Sequence, residues 1–235
     1  LLEARGLSNA SGSVADVCFH VRKGEILGLT GLQGAGKTDL ARLLYGAERR
    51  TSGCISIGGV PVDINSPSDA MRNGISLLDE NVRDYLFIEQ GTEFNITFSN
   101  LAKLSRTCFI NPERALGESR YYMRQLDIHA LSMSSPLSSL SGGVRQKVAI
   151  SRCLFSGSRF IIMDEPTKYL DIPSKVEMYN IMNRMVKKGL SILFISSDIE
   201  ELLGMSDRLL ILYSGRIARE IDPRTSTSSD VLYTA

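Results

Sequence analysis

The chain has no tryptophan, only two histidines and only four cysteines in 235 residues. Cys18, Cys54, Cys108 and Cys153 lie far apart, and none is half of a C-x-x-C pair. That spacing argues against both a zinc site and a disulfide framework, and the expectation is four buried, reduced, cytosolic thiols. No apolar run approaches the ~20 residues that a membrane-spanning helix requires. Charge of one sign is also missing: the formal net charge is +1. It supplies no field to draw in nucleic acid or an anionic membrane, and no basic-aromatic stripe offers base stacking, so no nucleic-acid partner is expected. The N-terminal LLEARGLSNA lacks the apolar stretch of a signal peptide. It also lacks an initiator Met, and the expectation is a piece cut from a longer protein. What remains is ordinary globular composition, 43% hydrophobic and 23% charged. That is enough for one large α/β domain or two small ones.

Alternation of apolar and polar residues predicts a half-exposed strand at VCFHV, and EILGLT reads as a short buried strand. After GLQGAGKT, the run DLARLLYGA predicts a helix with Leu40, Leu43 and Leu44 on one face. A turn is expected at Thr51-Ser52-Gly53. Two alternating runs around Gly58-Gly59 then predict a β-hairpin, and SPSDAMRNG a short helix ending on Gly74. ISLL is another apolar strand. From Asn81 to about Ser139 the strand signals vanish, and helix-like segments at Glu93–Ser105 and Pro112–Leu126 suggest a helical insertion. Strands resume at RFIIMDE, SILFIS, DRLLILY and GRIAREI, the last two joined by a hairpin at Ser214-Gly215. The tail carries one short helix at most.

Three stretches carry chemistry. Gly31, Leu32, Gln33, Gly34, Ala35, Gly36, Lys37 and Thr38 fit G-x-x-x-x-G-K-[ST] at every position, between a predicted strand and a predicted helix. Glycines let such a loop turn its N–H groups onto phosphate oxygens, and the helix N-terminus adds the positive end of its dipole. Lys37 would reach the β- and γ-phosphates, and the Thr38 hydroxyl would bind Mg²⁺. Asp39 follows in the same nucleotide-binding segment. Next, Asp164 and Glu165 close the apolar strand FIIMDE. Asp164 can hold the Mg²⁺ shell, while Glu165 points the other way and can polarise an attacking water. Third, Leu140-Ser141-Gly142-Gly143 opens a predicted helix, a second anion site, with Gln146 one turn on. Two phosphate-grade sites in one domain are most simply reconciled if two such domains face each other and each supplies half of a composite site.

With these motifs the chain resembles the nucleotide-binding domain of an ABC transporter over nearly its whole length. The P-loop is GLQGAGKT, the signature LSGG, the Walker B strand FIIMDEPT, and the D-loop aspartate falls at Asp171 in KYLDIPSK. The wording of LSGGVRQKVAISR, DEPTKYLDIPSKVEMYNIM and ISSDIEELLGMSDRLLILYSGRI is similar to the C-terminal half of the ATPase of ribose/galactose/xylose-type sugar importers. That resemblance implies an α/β P-loop NTPase core with a mixed sheet, an antiparallel β subdomain and a helical subdomain inserted at roughly 82–158. The whole of 1–235 would be one nucleotide-binding domain from a two-cassette chain. It also implies an ATP- and Mg²⁺-dependent ATPase that powers import of a small solute, most simply a monosaccharide. Its partners would be a second nucleotide-binding domain, transmembrane permease subunits and, indirectly, a periplasmic-type solute-binding protein. The place would be the cytoplasmic face of the inner membrane, peripherally, with the isolated domain soluble. Ser141, Gly142 and Gly143 would serve the partner's nucleotide.

The sequence also departs from the general family pattern. Ser197 stands where a γ-phosphate-contacting histidine is usual; it is a neutral donor and forms no imidazolium. Glu80 replaces the usual glutamine and is expected to touch Mg²⁺ or its water. No aromatic residue occurs in Ser11–Val14, where the adenine ring commonly stacks. Lys37, Glu165 and Ser197 are the expected catalytic set. Alternative readings are a degenerate half that binds ATP and regulates without hydrolysing it, and a soluble non-transport ABC ATPase.

Overall fold

The computed structural model describes residues 1–81, 85–105, 109–129 and 132–233. Cys108 and residues 82–84 of the segment after Glu80 lie outside these. The chain divides into two compact units. The first comprises Leu1–Asp79, Arg159–Pro166 and Met182–Ala235; the second comprises Glu80–Ser158 and Thr167–Ile181.

The first unit holds two sheets. In one, β1 (Leu2–Asn9), β2 (Val17–Val21), β4 (Arg50–Ile57) and β5 (Val60–Val62) pair antiparallel in the order β2-β1-β4-β5. The other has the order β10-β9-β3-β8-β7-β6. It is built from β3 (Ile26–Thr30), β6 (Ile75–Leu78), β7 (Phe160–Asp164), β8 (Ser191–Ile195), β9 (Arg208–Tyr213) and β10 (Arg216–Ile221). All its neighbours are parallel except the β9–β10 hairpin, so the sheet is mixed, as the resemblance implies. Strands β3, β7 and β8 are buried at every residue, which is why each reads as an unbroken apolar run. β2 alternates buried and exposed, because one face of its sheet meets solvent.

Helix α1 (Lys37–Leu44) buries Leu40, Ala41, Leu43 and Leu44. These pack in one core with Leu27 and Leu29 of β3, Leu193 and Ile195 of β8, and Leu210 and Leu212 of β9. Leu7, Val17 and Ile55 of the antiparallel sheet belong to the same cluster. Each such side chain contributes about 1.5–3 kcal/mol of burial, so this core holds α1, and the loop before it, in place. Helix α2 (Pro67–Arg72) is capped by Ser66, whose Oγ accepts from the Asp69 N–H at 3.2 Å. Helices α7 (Ile199–Met205) and α8 (Ser228–Leu232) complete the unit.

Among the described residues the second unit has no strand. It contains α3 (Thr92–Thr97), α4 (Pro112–Gln125), α5 (Gly142–Ser156) and the first part of α6 (Ile172–Lys187). Asn95 is fully buried and ties four backbone groups: its Oδ1 accepts from Phe87 N–H, and its Nδ2 donates to the carbonyls of Phe87, Gln90 and Gly91.

Four expectations need correction. Cys18 and Cys54 are exposed, because both fall on the solvent face of the antiparallel sheet; Cys153 is buried as expected. Thr51-Ser52-Gly53 is not a turn but lies inside β4, where Gly53 takes φ +87° beside a register irregularity. The Glu93–Ser105 segment is not one helix: α3 passes into a 3₁₀ stretch over Phe98–Leu104, interrupted at Asn100 (φ −153°, ψ 70°). Finally, β1 is absent from the strands read above. Its Gly6 sits at φ +63° in a bulge, which breaks the alternation a sequence pattern depends on.

Candidate nucleotide site

The P-loop runs from the end of β3 to the start of α1, and its glycines answer to steric limits. A Cβ on Gly36 would lie 2.0 Å from the Ser13 carbonyl oxygen, with φ at +100°. One on Gly31 would lie 2.3 Å from the Leu212 carbonyl oxygen. No side chain fits at either position. The loop is clamped from outside: the Ala35 carbonyl accepts from the Gly215 N–H at 3.1 Å, and the Gly215 carbonyl accepts from the Ala15 N–H at 2.8 Å. Leu32, Gln33 and Gly34 are exposed along the tip, while Ala35 is buried. Gly36 caps α1 without any side-chain hydrogen bond, so side-chain capping claims none of the helix's first amides. Lys37 lies across the loop, its Nζ donating to the Gly31 carbonyl at 2.6 Å. Asp39, partly exposed, sits in the first turn of α1, where an acid complements the helix dipole.

The second piece comes from β7. Phe160 and Ile162 point into the core shared with α1, and strand alternation puts Asp164 on the same face. The Thr38 hydroxyl donates to Asp164 Oδ2 at 2.8 Å, and Asp164 is 1% exposed. This pair of hard oxygens, the carboxylate buried and the hydroxyl partly exposed, fits Mg²⁺, which takes one or two protein ligands and fills its shell with water and phosphate. A hydroxyl can donate to the carboxylate and still offer a lone pair to the cation. Among the described residues no group of three or more His, Cys, Asp or Glu could hold a metal by itself.

Glu165 stands at φ +49°, its N–H bonded to the Ile195 carbonyl at 2.9 Å. That conformation is uncommon for a non-glycine residue and costs of order 1–3 kcal/mol, a typical mark of a functional position. The Ser197 hydroxyl donates to Glu165 Oε1. Ser196 serves the scaffold instead: it is 1% exposed, caps the Asp198 N–H at 3.0 Å and donates to Glu201 at 3.3 Å. Lys37, Thr38, Asp164, Glu165 and Ser197 all belong to the first unit.

The signature segment belongs to the second unit. Ser141 is the N-cap of α5, its Oγ accepting from the Val144 N–H at 3.4 Å. Ser141 and Gly142 are exposed, Leu140 and Gly143 partly so, whereas Gln146 is 6% exposed and faces inward. Lys147 anchors the helix, donating to the Asp127 carbonyl at 2.8 Å and to Glu177 at 2.6 Å. Asp171 accepts from the Ser174 N–H at 3.1 Å at the start of α6. Hydrogen bonds from Ser174, side chain first and then backbone, hold the Asp171 carboxyl below its ordinary value. Glu80 pairs with Lys168, also in the second unit.

Sequence reasoning missed the residues that shape the P-loop from behind. Asn9 accepts from the Val14 N–H at 3.0 Å and donates to Ser13 at 2.9 Å and to Glu48 at 2.6 Å, holding Ser13 against Gly36. Gly215 gave only a hairpin signal. Neither signal reaches across the chain separation involved.

The ABC transporter family model matches residues 14–168, more than half of the chain. The ribose import ATP-binding protein RbsA of Lacticaseibacillus paracasei is 37% identical over 232 residues, covering 98% of this chain and 46% of that protein. RbsA of Yersinia pestis bv. Antiqua is 39% identical over 220 residues (93% and 43%). The xylose import ATP-binding protein XylG of Thermoanaerobacter pseudethanolicus is 37% identical over 224 residues (94% and 44%). The chain thus spans less than half the length of these curated relatives. Among solved structures, an ATP-binding cassette of an ABC transporter in its ADP conformation superposes with TM-score 0.83 at 17% identity, covering 100% of this chain and 99% of that one. The cbiO1 protein of Clostridium perfringens gives 0.82 at 21%, covering 98% and 92%. At those identities the likeness establishes the fold. Motifs, geometry and family match agree, and the chain belongs to the ABC transporter family.

Proposed function

We propose that the chain is an ATP-binding and ATP-hydrolysing cassette that powers uptake of a monosaccharide through separate membrane subunits. The observation that carries this is the Thr38–Asp164 bond, which joins the P-loop to the acid-bearing strand end. Thr38 and Asp164 would hold the Mg²⁺ of MgATP, which neutralises charge on the phosphates when bound. Lys37 would exchange its bond to Gly31 for phosphate oxygens. Glu165 would accept a proton from the attacking water, steadied by Ser197. The relatives' names, ribose and xylose import ATP-binding proteins, supply the solute class.

The signature turn Leu140–Gly143 would complete the nucleotide site of a second cassette. Tyr169, Ile172 and Val176 support such a partner: they are 87%, 77% and 51% exposed, an apolar set beside the Asp171 cap. No helix among the described residues is long and apolar enough to cross a membrane, which fits a peripheral place on the cytoplasmic face, against permease subunits. A periplasmic-type solute-binding protein would act on the far side.

A second reading, binding without turnover, is favoured by one observation: the residue reaching Glu165 is a serine, which brings no positive charge to the γ-phosphate. Glu165→Gln separates the two. In the intact protein with its permease, hydrolysis and sugar uptake should fall about 10²–10⁴-fold while ATP binding persists. An unchanged rate would overturn the hydrolytic role of this cassette and leave the regulatory one.

A further inference from the structure

We infer that Asn9 and Glu48 form a positioning pair for the nucleotide site. Their hydrogen bond braces helix α1 at both ends and keeps the P-loop in its binding shape before any ligand arrives. This rests on the nucleotide reading above and adds two residues outside the motif that set its affinity.

The segment between β1 and β2 has little packing of its own. Ala10, Ser11 and Gly12 are exposed, and a Cβ on Gly12 would meet nothing within 4 Å. Val14, fully buried, anchors its far end. Between these points Asn9 supplies the shape, from the end of β1 and at 6% exposure. Its N–H donates to the Val14 carbonyl at 3.1 Å, its Oδ1 accepts from the Val14 N–H at 3.0 Å, and its Nδ2 donates to the Ser13 hydroxyl at 2.9 Å. The consequence falls on the Ser13 carbonyl oxygen. A Cβ on Gly36 would lie 2.0 Å from it and one on Gly215 2.8 Å. Ser13 is therefore the backstop on which the start of α1 rests.

Glu48 carries the brace to the other end of the helix. The N–H groups of Ala47 and Glu48 both donate to the Arg42 carbonyl, at 2.9 and 3.2 Å, so Glu48 is tied to the last turn of α1. Its Oε1 accepts from Asn9 Nδ2 at 2.6 Å, a charge-assisted bond. Strand register brings the two together, because Asn9 lies opposite Arg50, two residues beyond Glu48. A P-loop binds through amides that are already aimed at the phosphates. A loop that visits other shapes binds more weakly, in proportion to the fraction of molecules that are out of shape.

The test is calorimetric titration of the intact protein with MgATP, counting only binding that Lys37→Ala removes. Asn9→Asp takes away the donor and sets a second carboxylate against Glu48. It should raise the dissociation constant about tenfold. Adding Glu48→Gln supplies an amide donor for the new carboxylate and rebuilds the bond in the reverse direction. The double variant should return to within about threefold of the parent. Thermal melts identify the variants that are folded at the working temperature. A purely structural role would lower the melting point and leave the affinity of the folded protein unchanged. That result, or no recovery in the double variant, overturns the inference. Should Asn9→Asp not fold, Glu48→Ala replaces it, since Glu48 is partly exposed. Its affinity should fall about fivefold, and an unchanged value overturns the inference equally. If the parent itself shows no MgATP binding that depends on Lys37, the nucleotide reading falls instead.

Discussion

The Ser197 hydroxyl donates to the Glu165 carboxylate, so the second residue after strand β8 reaches the first residue after strand β7, and the intervening Ser196 does not. Strands β7 and β8 pair in parallel with Asp164 opposite Ile195, which brings their two ends side by side. The contact orients a carboxylate that is held at positive φ.

That relationship predicts the behaviour of Ser197→Ala. Removing one hydrogen bond to a charged, partly exposed carboxylate should lower turnover about tenfold, in line with the ~1.5 kcal/mol such bonds contribute. ATP affinity should move less than about twofold, since Glu165 acts on the water and not on the bound ground state. Steady-state hydrolysis and equilibrium binding on the same preparation check this. A drop in affinity as large as the drop in rate would place Ser197 on the phosphate instead.

Gly36→Ala should abolish Lys37-dependent nucleotide binding and destabilise the fold by about 1–3 kcal/mol. The added methyl would sit 2.0 Å from the Ser13 carbonyl oxygen at a backbone angle of +100°. Gly34→Ala meets no atom within 4 Å and carries only the conformational cost at φ +83°, so its effect should be the smaller. Thermal melts of the two variants side by side give the comparison.

Arg208 is 7% exposed and bonds Glu25 at 2.9 Å and Glu220 at 2.7 Å. Glu25, itself 4% exposed, also accepts from the Arg22 N–H. Arg208→Ala leaves that carboxylate buried without its countercharge, a loss of about 3–5 kcal/mol in urea unfolding. Glu220 has a side chain 47% exposed, and Glu220→Gln should cost under about 1 kcal/mol.

The same pair sets a pH dependence. The Arg208 hydrogen bond holds the Glu220 carboxyl below its ordinary value of 4.5. A depressed carboxyl stabilises the fold above its unfolded-state value, and that contribution is lost as pH falls through the lower folded value. The stability difference between the parent and Glu220→Gln should therefore be constant near neutrality and shrink below about pH 4.5. Urea midpoints taken from pH 7 to pH 3.5 read it directly; a difference that grows on acidification would reverse the sign.

The P-loop and the Asp164-Glu165 strand end were legible in the sequence because their constraints are local. Glycine where no Cβ fits, Lys and Thr at the head of a helix and two acids ending an apolar strand each leave a mark on consecutive residues. Buried β3, β7 and β8 were legible because full burial on both faces demands unbroken apolar runs. Three things were not legible. The bulge at Gly6 hides β1 from any alternation pattern, the exposure of Cys18 and Cys54 depends on which sheet face meets solvent, and the support of Gly36 by Ser13 spans distant parts of the chain.

By itself, then, the sequence determined which residues can meet a phosphate, because that capacity resides in residue type and in spacing along a few positions. Only the tertiary structure decided which of two adjacent serines faces Glu165, that Thr38 meets Asp164, and that the loop beside Gly36 has its polar groups already paired. Those outcomes depend on strand register and on contacts between residues far apart in the chain, and register is set by the packing of whole faces rather than by any single residue.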